Sequence, residues 1–230
     1  MMENTSFAAA SAPETLSMNR FMTAVYGWMA AALALSGVVA WWAGTSETFL
    51  AAMMQKPGLF LVLIIAQFAA VIALSGWVQR MSLPLAVAVF LGYAALTGLT
   101  LSTIFMVYTT ASIAQTFGVT AGMFGAMAFY GYTTKRDLTG WGSFLFMSLI
   151  GLVIASVVNL FLNTHFLTWV TTYAGIIIFA GLAAYDTWRL KLIGAHAEGQ
   201  KQLAIHGALS LYLDFINLFL HLLRVMGRRR

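Results

Sequence analysis

The chain has 230 residues, 61% of them hydrophobic and 8% charged, and a net charge of +5. A soluble domain carries roughly a quarter charged residues, so this chain cannot cover a water-exposed surface and is read as an integral membrane protein. Its zero cysteine count excludes disulfides and thiolate metal sites. Its basic residues, scattered between apolar runs, do not form the basic face of a nucleic-acid binder.

Residues 1–20 are small and polar and lack the basic start of a signal peptide. They read as a mobile cytoplasmic tail ahead of one transmembrane domain, 21–230. About twenty apolar residues cross a bilayer as helix. Seven segments qualify: 21–43, 58–79, 83–107, 112–133, 141–162, 167–189 and 205–226. The expected fold is therefore an all-α integral membrane bundle of seven transmembrane helices joined by short loops. The third segment carries Thr97, Gly98, Thr100, Ser102 and Thr103, and the fourth carries Gly118, Gly122 and Gly125. Small residues at such spacing predict close helix packing.

Lys and Arg set the orientation. Arg20, Arg80, Lys135, Arg136, Arg189, Lys191 and Lys201 fall on the side of the N-terminus, and only Lys56 lies in connections on the other side. The positive-inside rule places the N-terminus in the cytoplasm. The closing Gly227–Arg230 run then falls outside after seven crossings, unless the last segment is re-entrant.

Of the seven acids, Glu3 and Glu14 lie in the tail and Glu47, Asp137 and Glu198 in loops, so only Asp186 and Asp214 fall within predicted spans. An ionisable residue inside the membrane is a functional candidate by default. Asp186, in GLAAYDTWRL, stands near the C-terminal end of the sixth span, where the helix dipole disfavours negative charge. It either snorkels beside Arg189 or serves a site. In the last span His206, Ser210, Asp214, Asn217, His221 and Arg224 recur every three or four residues and share one helix face. Such a polar stripe faces the bundle interior or a water-filled path, with Phe215 on the lipid side. His206, His165 and Glu198 read as interfacial, and His221 and Arg224 also suit the far interface. Counting from the expected helix ends puts Asp186 about 5 Å and Asp214 about 10 Å deep at 1.5 Å per residue, so the two can meet. Two carboxylates in one low-dielectric site cannot both ionise cheaply, and a pair of this kind senses pH.

AAYDTWRLKLIG and ALSLYLDFINLFLHLLRVMG together resemble the Bax inhibitor-1 family, also called the transmembrane Bax-inhibitor-motif family, most closely its bacterial YbhL-type members. VYGWM, ALTGLTLSTIF and GYTTKRDLTGWG extend the likeness across all but the tail. The resemblance implies a seven-helix fold whose C-terminal helix is central and ringed by the other six. It also implies a pH-sensitive calcium leak in the inner membrane, with the aspartate pair falling on Asp186 and Asp214. These two would be the pH sensor and a weak, transient Ca²⁺ site, and Ser210, Asn217 and His221 would line the pathway. The family's latching arginine near the end of the second helix would fall on Gln79 or Arg80. Where the family has YDTQ, this chain reads YDTW, which puts Trp188 beside the pair.

The expected function is thus passive Ca²⁺ conduction without a cofactor and without an enzymatic reaction. Two other classes compete with it. An intramembrane aspartyl protease would need GxGD, whereas the chain has LYLD, and Pro13, Pro57 and Pro84 are all remote. An interaction protein, a partner of a membrane-bound protease of the FtsH type or a suppressor of stress and cell death, is the alternative that the resemblance leaves open.

Overall fold

The computed structural model describes residues 12–195 and 200–230. The start of the expected tail and Glu198 lie outside the described residues. Helices follow in the order α1 (Ala12–Thr45), α2 (Glu47–Gln55), α3 (Pro57–Trp77), α4 (Leu83–Leu101), α5 (Ile104–Val107), α6 (Thr110–Thr133), α7 (Thr139–Leu162), α8 (His165–Gly194) and α9 (Lys201–Met226). A 3-10 turn, Val78–Arg80, follows α3.

Local chemistry sets the helix ends. Proline occupies the first turn of α3 and of α4, where its missing N–H costs no helical hydrogen bond. Thr109 caps α6 by accepting from Ser112 N at 3.3 Å, and Thr164 caps α8 by accepting from Leu167 N at 3.4 Å. Asn163 ends α7 in the left-handed region, with φ 48°.

Among the described residues, six helical segments are long and apolar enough to cross a membrane. The fourth expected span, α6, is not among them. Its Gly118, Gly122, Gly125 and Gly131, together with Gln115 and its hydroxyl residues, dilute its apolar character. Its length is sufficient, since 24 residues extend about 36 Å. It also runs the full height of the bundle. At one end Tyr132 Oη donates to Asn19 Oδ1 at 2.9 Å, and at the other Arg228 N donates to Ser112 Oγ at 2.9 Å.

Other boundaries also differ from expectation. The first helix begins at Ala12, so the second half of the expected mobile tail is helical. The third segment breaks at Ser102–Thr103, between α4 and α5. The last segment is one unbroken helix of 26 residues, about 39 Å long, which is long enough to cross a membrane.

Burial identifies the centre. In the apolar stretch of α9, 67% of residues are buried, against 6% for α3 and 11% for α7. Helix α9 packs on α1, α4, α6, α8 and the 3-10 turn, while α3 lies chiefly on α4 and α7 on α8. The last helix is central as expected, but its close neighbours are four long helices and not six.

Glycine packing also falls elsewhere than expected. A Cβ on Gly118, Gly122 or Gly125 would meet nothing within 4 Å, whereas one on Gly131 would collide with the Ala184 backbone. The close α6–α8 crossing is therefore at Gly131, two residues from Asp186 in register on the facing helix. At the other expected small residue, Gly98, a Cβ would come 2.7 Å from Ser36 O, so α1 and α4 do meet there.

Candidate functional site

The central helix carries Asp214 into the core, where its side chain is only 5% exposed. Helix α8 runs on to Gly194, so Asp186 stands about 12 Å from its end at 1.5 Å per residue, and Asp214 about 20 Å from the start of α9. Both acids lie farther from their helix ends than the sequence count implied, and Asp186 is not a helix-end residue. The stagger of α8 and α9 brings the two carboxyl groups close enough to interact. Ser210, one turn before Asp214, reaches the same Asp186 carboxyl group, and the positive charge acting on it is that of Arg189.

Among the described residues, Asp214 Oδ2 is buried without a hydrogen-bond partner. Leaving such an oxygen unpaired costs roughly 1–3 kcal/mol, unless a proton, a water or a cation serves it. Thr116 Oγ1 on α6, His206 Nδ1 and His221 Nδ1 are in the same condition. The histidine and aspartate atoms all belong to the α9 stripe.

The stripe itself divides. Ser210 joins the acid pair. Asn217 Nδ2 donates to Leu213 O at 2.8 Å, so its amide serves its own helix. The His221 ring stacks on Phe179 of α8 with centroids 5.8 Å apart, in space left by Gly175. His206 reaches the backbone of Leu74 on α3. Arg80 is exposed at the end of the 3-10 turn and is not among the groups acting on either carboxylate, and Gln79 is likewise exposed. Trp188 lies against Tyr185, with ring centroids 5.9 Å apart.

One expectation reverses. Phe215 is not on the outer face of the bundle: it is 3% exposed and packs against Phe117 and Phe124 of α6, with ring centroids at 5.2 and 5.5 Å.

Several site residues escaped the sequence reading. Thr187, next to Asp186, is buried and hydrogen-bonds Tyr26 of α1 at 3.1 Å. Tyr212, two residues before Asp214, is buried against Ser36, with the hydroxyl oxygens 2.6 Å apart. Lys191 Nζ donates to Tyr132 O at 2.8 Å and Thr134 O at 3.2 Å, tying α8 to the C-terminal carbonyls of α6. A buried tyrosine needs a partner for its hydroxyl, and that was the available signal for Tyr212. Nothing local distinguished Thr116 from the other membrane hydroxyls.

A central helix carrying one unpartnered carboxyl oxygen beside a second acid is the arrangement against which relatives can be compared. A sequence model of the family described as "Inhibitor of apoptosis-promoting Bax1" matches residues 18–230. The chain belongs to the Bax inhibitor-1 family. It is 52% identical over 218 residues to "Inner membrane protein YbhL" of Escherichia coli K12, a match covering 93% of each chain. An uncharacterized protein of Borreliella burgdorferi is 44% identical over 221 residues, covering 94% of this chain and 95% of its own. An uncharacterized membrane protein of Streptococcus pyogenes serotype M3 is 36% identical over 215 residues, covering 92% and 93%. The family assignment and the six apolar helices establish a multi-pass membrane protein.

Proposed function

We propose that this chain is a passive, pH-sensitive Ca²⁺ leak of the bacterial inner membrane, gated by Asp186 and Asp214. The single observation that carries this reading is Asp214 Oδ2, unpartnered in the core beside a second carboxyl group. The inner-membrane location follows the name of the Escherichia coli relative. In this reading α6 is a seventh crossing, and the N-terminus is cytoplasmic by the positive-inside rule.

At neutral pH the pair shares a proton, because two adjacent anions in low dielectric repel strongly. The remaining negative charge is steadied by Arg189, three residues beyond Asp186 on the same helix. Acid protonates the second carboxylate, weakens the charge-assisted bond between the two carboxyl groups and so loosens α8 from α9. Carboxylate and hydroxyl oxygens suit a hard cation. Among the described residues no cluster of three or more His, Asp or Glu side chains could hold a metal ion. Ca²⁺ therefore keeps most of its water and binds weakly, as conduction requires.

The test is Ca²⁺ flux into proteoliposomes across about pH 5 to 8, with wild type, Asp186→Asn, Asp214→Asn and the double variant. Each single change should flatten the pH response, and the double should add little to either, as for groups acting as one unit. An unchanged pH midpoint in both single variants refutes the gate. A second reading is favoured by the family's own description as an inhibitor: the chain acts by engaging a partner such as an FtsH-type membrane protease. Deleting residues 2–18 should then change turnover and leave flux intact.

A further inference from the structure

We infer that the lateral cleft between α1 and α6 holds an acyl chain of an anionic phospholipid whose phosphate rests on the arginines that follow α9. Helices α1 and α6 both pack on α8 and α9, yet the space between them is open. Two cavities, of ≈ 930 and ≈ 820 Å³, occupy it and share Ala30, Leu33, Ala121 and Phe215 as lining. Their walls are set back, because a Cβ on Gly27, Gly37 or Gly125 would meet nothing within 4 Å.

The smaller cavity lies toward the C-terminal end of the protein and runs along α1 from Ala30 to Trp41. That is about 17 Å of helix at 1.5 Å per residue, close to half of a hydrocarbon core of about 30 Å. It therefore matches the depth of one leaflet. Its volume falls in the range of roughly 300–1,000 Å³ that accommodates an extended apolar ligand. The polar side chains lining it are Ser36 and Thr110, and Ser36 already bonds Tyr212. Only hydrocarbon suits such a surface.

The end of the cleft supplies the charge. Thr110 and Ile113, in the first turn of α6, close it. The chain after α9 is strapped to that same turn: Thr109 N donates to Arg228 O at 3.1 Å, Arg228 N to Ser112 Oγ at 2.9 Å, and Arg230 N to Val107 O at 3.0 Å. These bonds use backbone groups and leave the Arg228, Arg229 and Arg230 side chains exposed, with Arg224 exposed one turn earlier. The positive end of α6 points the same way. Among the described residues Glu47, at the start of α2, is the one acid at this end of the bundle. Four guanidinium groups favour a phosphodiester and repel the ammonium of a zwitterionic headgroup, so the lipid is anionic.

The test is lipid retention, read by native mass spectrometry and by extraction from protein purified in mild detergent from membranes of mixed phosphatidylglycerol and phosphatidylethanolamine. Wild type should keep one phosphatidylglycerol, enriched about tenfold over its share of the membrane. Ala34→Trp and Ala121→Trp place a large ring in the open cleft and should abolish retention. The combined change Arg224→Gln, Arg228→Gln, Arg229→Gln and Arg230→Gln alters only exposed side chains. It should leave a lipid bound but erase the headgroup preference, which decides the matter even if a tryptophan variant misfolds. Three results would overturn the inference: lipids carried in bulk proportion, headgroup preference surviving loss of the arginines, or a stoichiometric protein chain bound in place of lipid.

Discussion

Substituting Ser36 tests how the central helix is held in rotation. Ser36 Oγ is buried 2.9 Å from Ala32 O, 2.7 Å from Ala94 O and 2.6 Å from Tyr212 Oη. Its single proton goes to one of the two carbonyls, so the Tyr212 hydroxyl must be the donor to Ser36. Tyr212 stands two residues before Asp214, about 200° away around α9, so this bond sets the face that carries the acid. Ser36→Ala leaves a fully buried donor without its acceptor, a loss of about 1–3 kcal/mol. Thr97 Oγ1, itself donating to Tyr93 O at 3.0 Å, is within reach of Tyr212 as a replacement. That places the cost near the lower end, about 1–2 kcal/mol. Tyr212→Phe removes the bond while Ser36 keeps its carbonyl partner, and should cost about 1 kcal/mol or less. The double variant should be little worse than Ser36→Ala alone. Thermal melting in detergent reads these differences, at about 2–4 °C per kcal/mol for a chain of this size. Single effects that add within about 0.5 kcal/mol, or a Tyr212→Phe variant less stable than Ser36→Ala, would refute the donor assignment.

Gly131→Ala should destabilise by about 1–3 kcal/mol because its methyl group meets the Ala184 backbone. Gly125→Ala, facing open space, should be neutral or stabilising by up to about 1 kcal/mol; equal melting points would contradict the assigned crossing. Phe215→Ala should cost about 3 kcal/mol if it packs on Phe117 and Phe124, whereas a melting point unchanged from wild type would return it to the lipid face. Asp137, in the exposed α6–α7 connection, accepts from Thr139 Oγ1 at 2.6 Å and from Thr139 N at 2.8 Å, and these bonds hold its pKa below the ordinary 3.8. Its contribution to stability is therefore present above that value and lost as pH falls through the lowered one. Thr139→Ala should shrink this acid-side loss, read as melting point against pH; an identical acid limb in the variant would contradict the bond. Finally, a cysteine beside Lys135 should be labelled by an impermeant reagent only from the cytoplasmic side, and labelling from outside intact cells would invert the topology.

Composition alone settled the membrane class, because 8% charged residues cannot solvate a globular surface. Local apolar runs placed the long helices to within a few residues at most ends. Periodicity put Ser210 and Asp214 on one face of the last helix, and the rarity of intramembrane acids singled out Asp186 and Asp214. These properties are legible because they depend on neighbours three or four residues away. The orientation of apolar and small residues is a different matter. In a bilayer, lipid and protein core are equally apolar, so Phe215 could face either, and Gly125 could serve close packing or an open cleft. Only the packed arrangement decided that Phe215 is buried, that α6 touches α8 at Gly131, and that α1 and α6 stand apart. The stagger of α8 and α9, which brings Asp186 to Asp214 while leaving Arg80 exposed, depends on how far each helix extends past its apolar segment. Hydropathy does not report that extension, because Lys191 ends an apolar run without ending the helix.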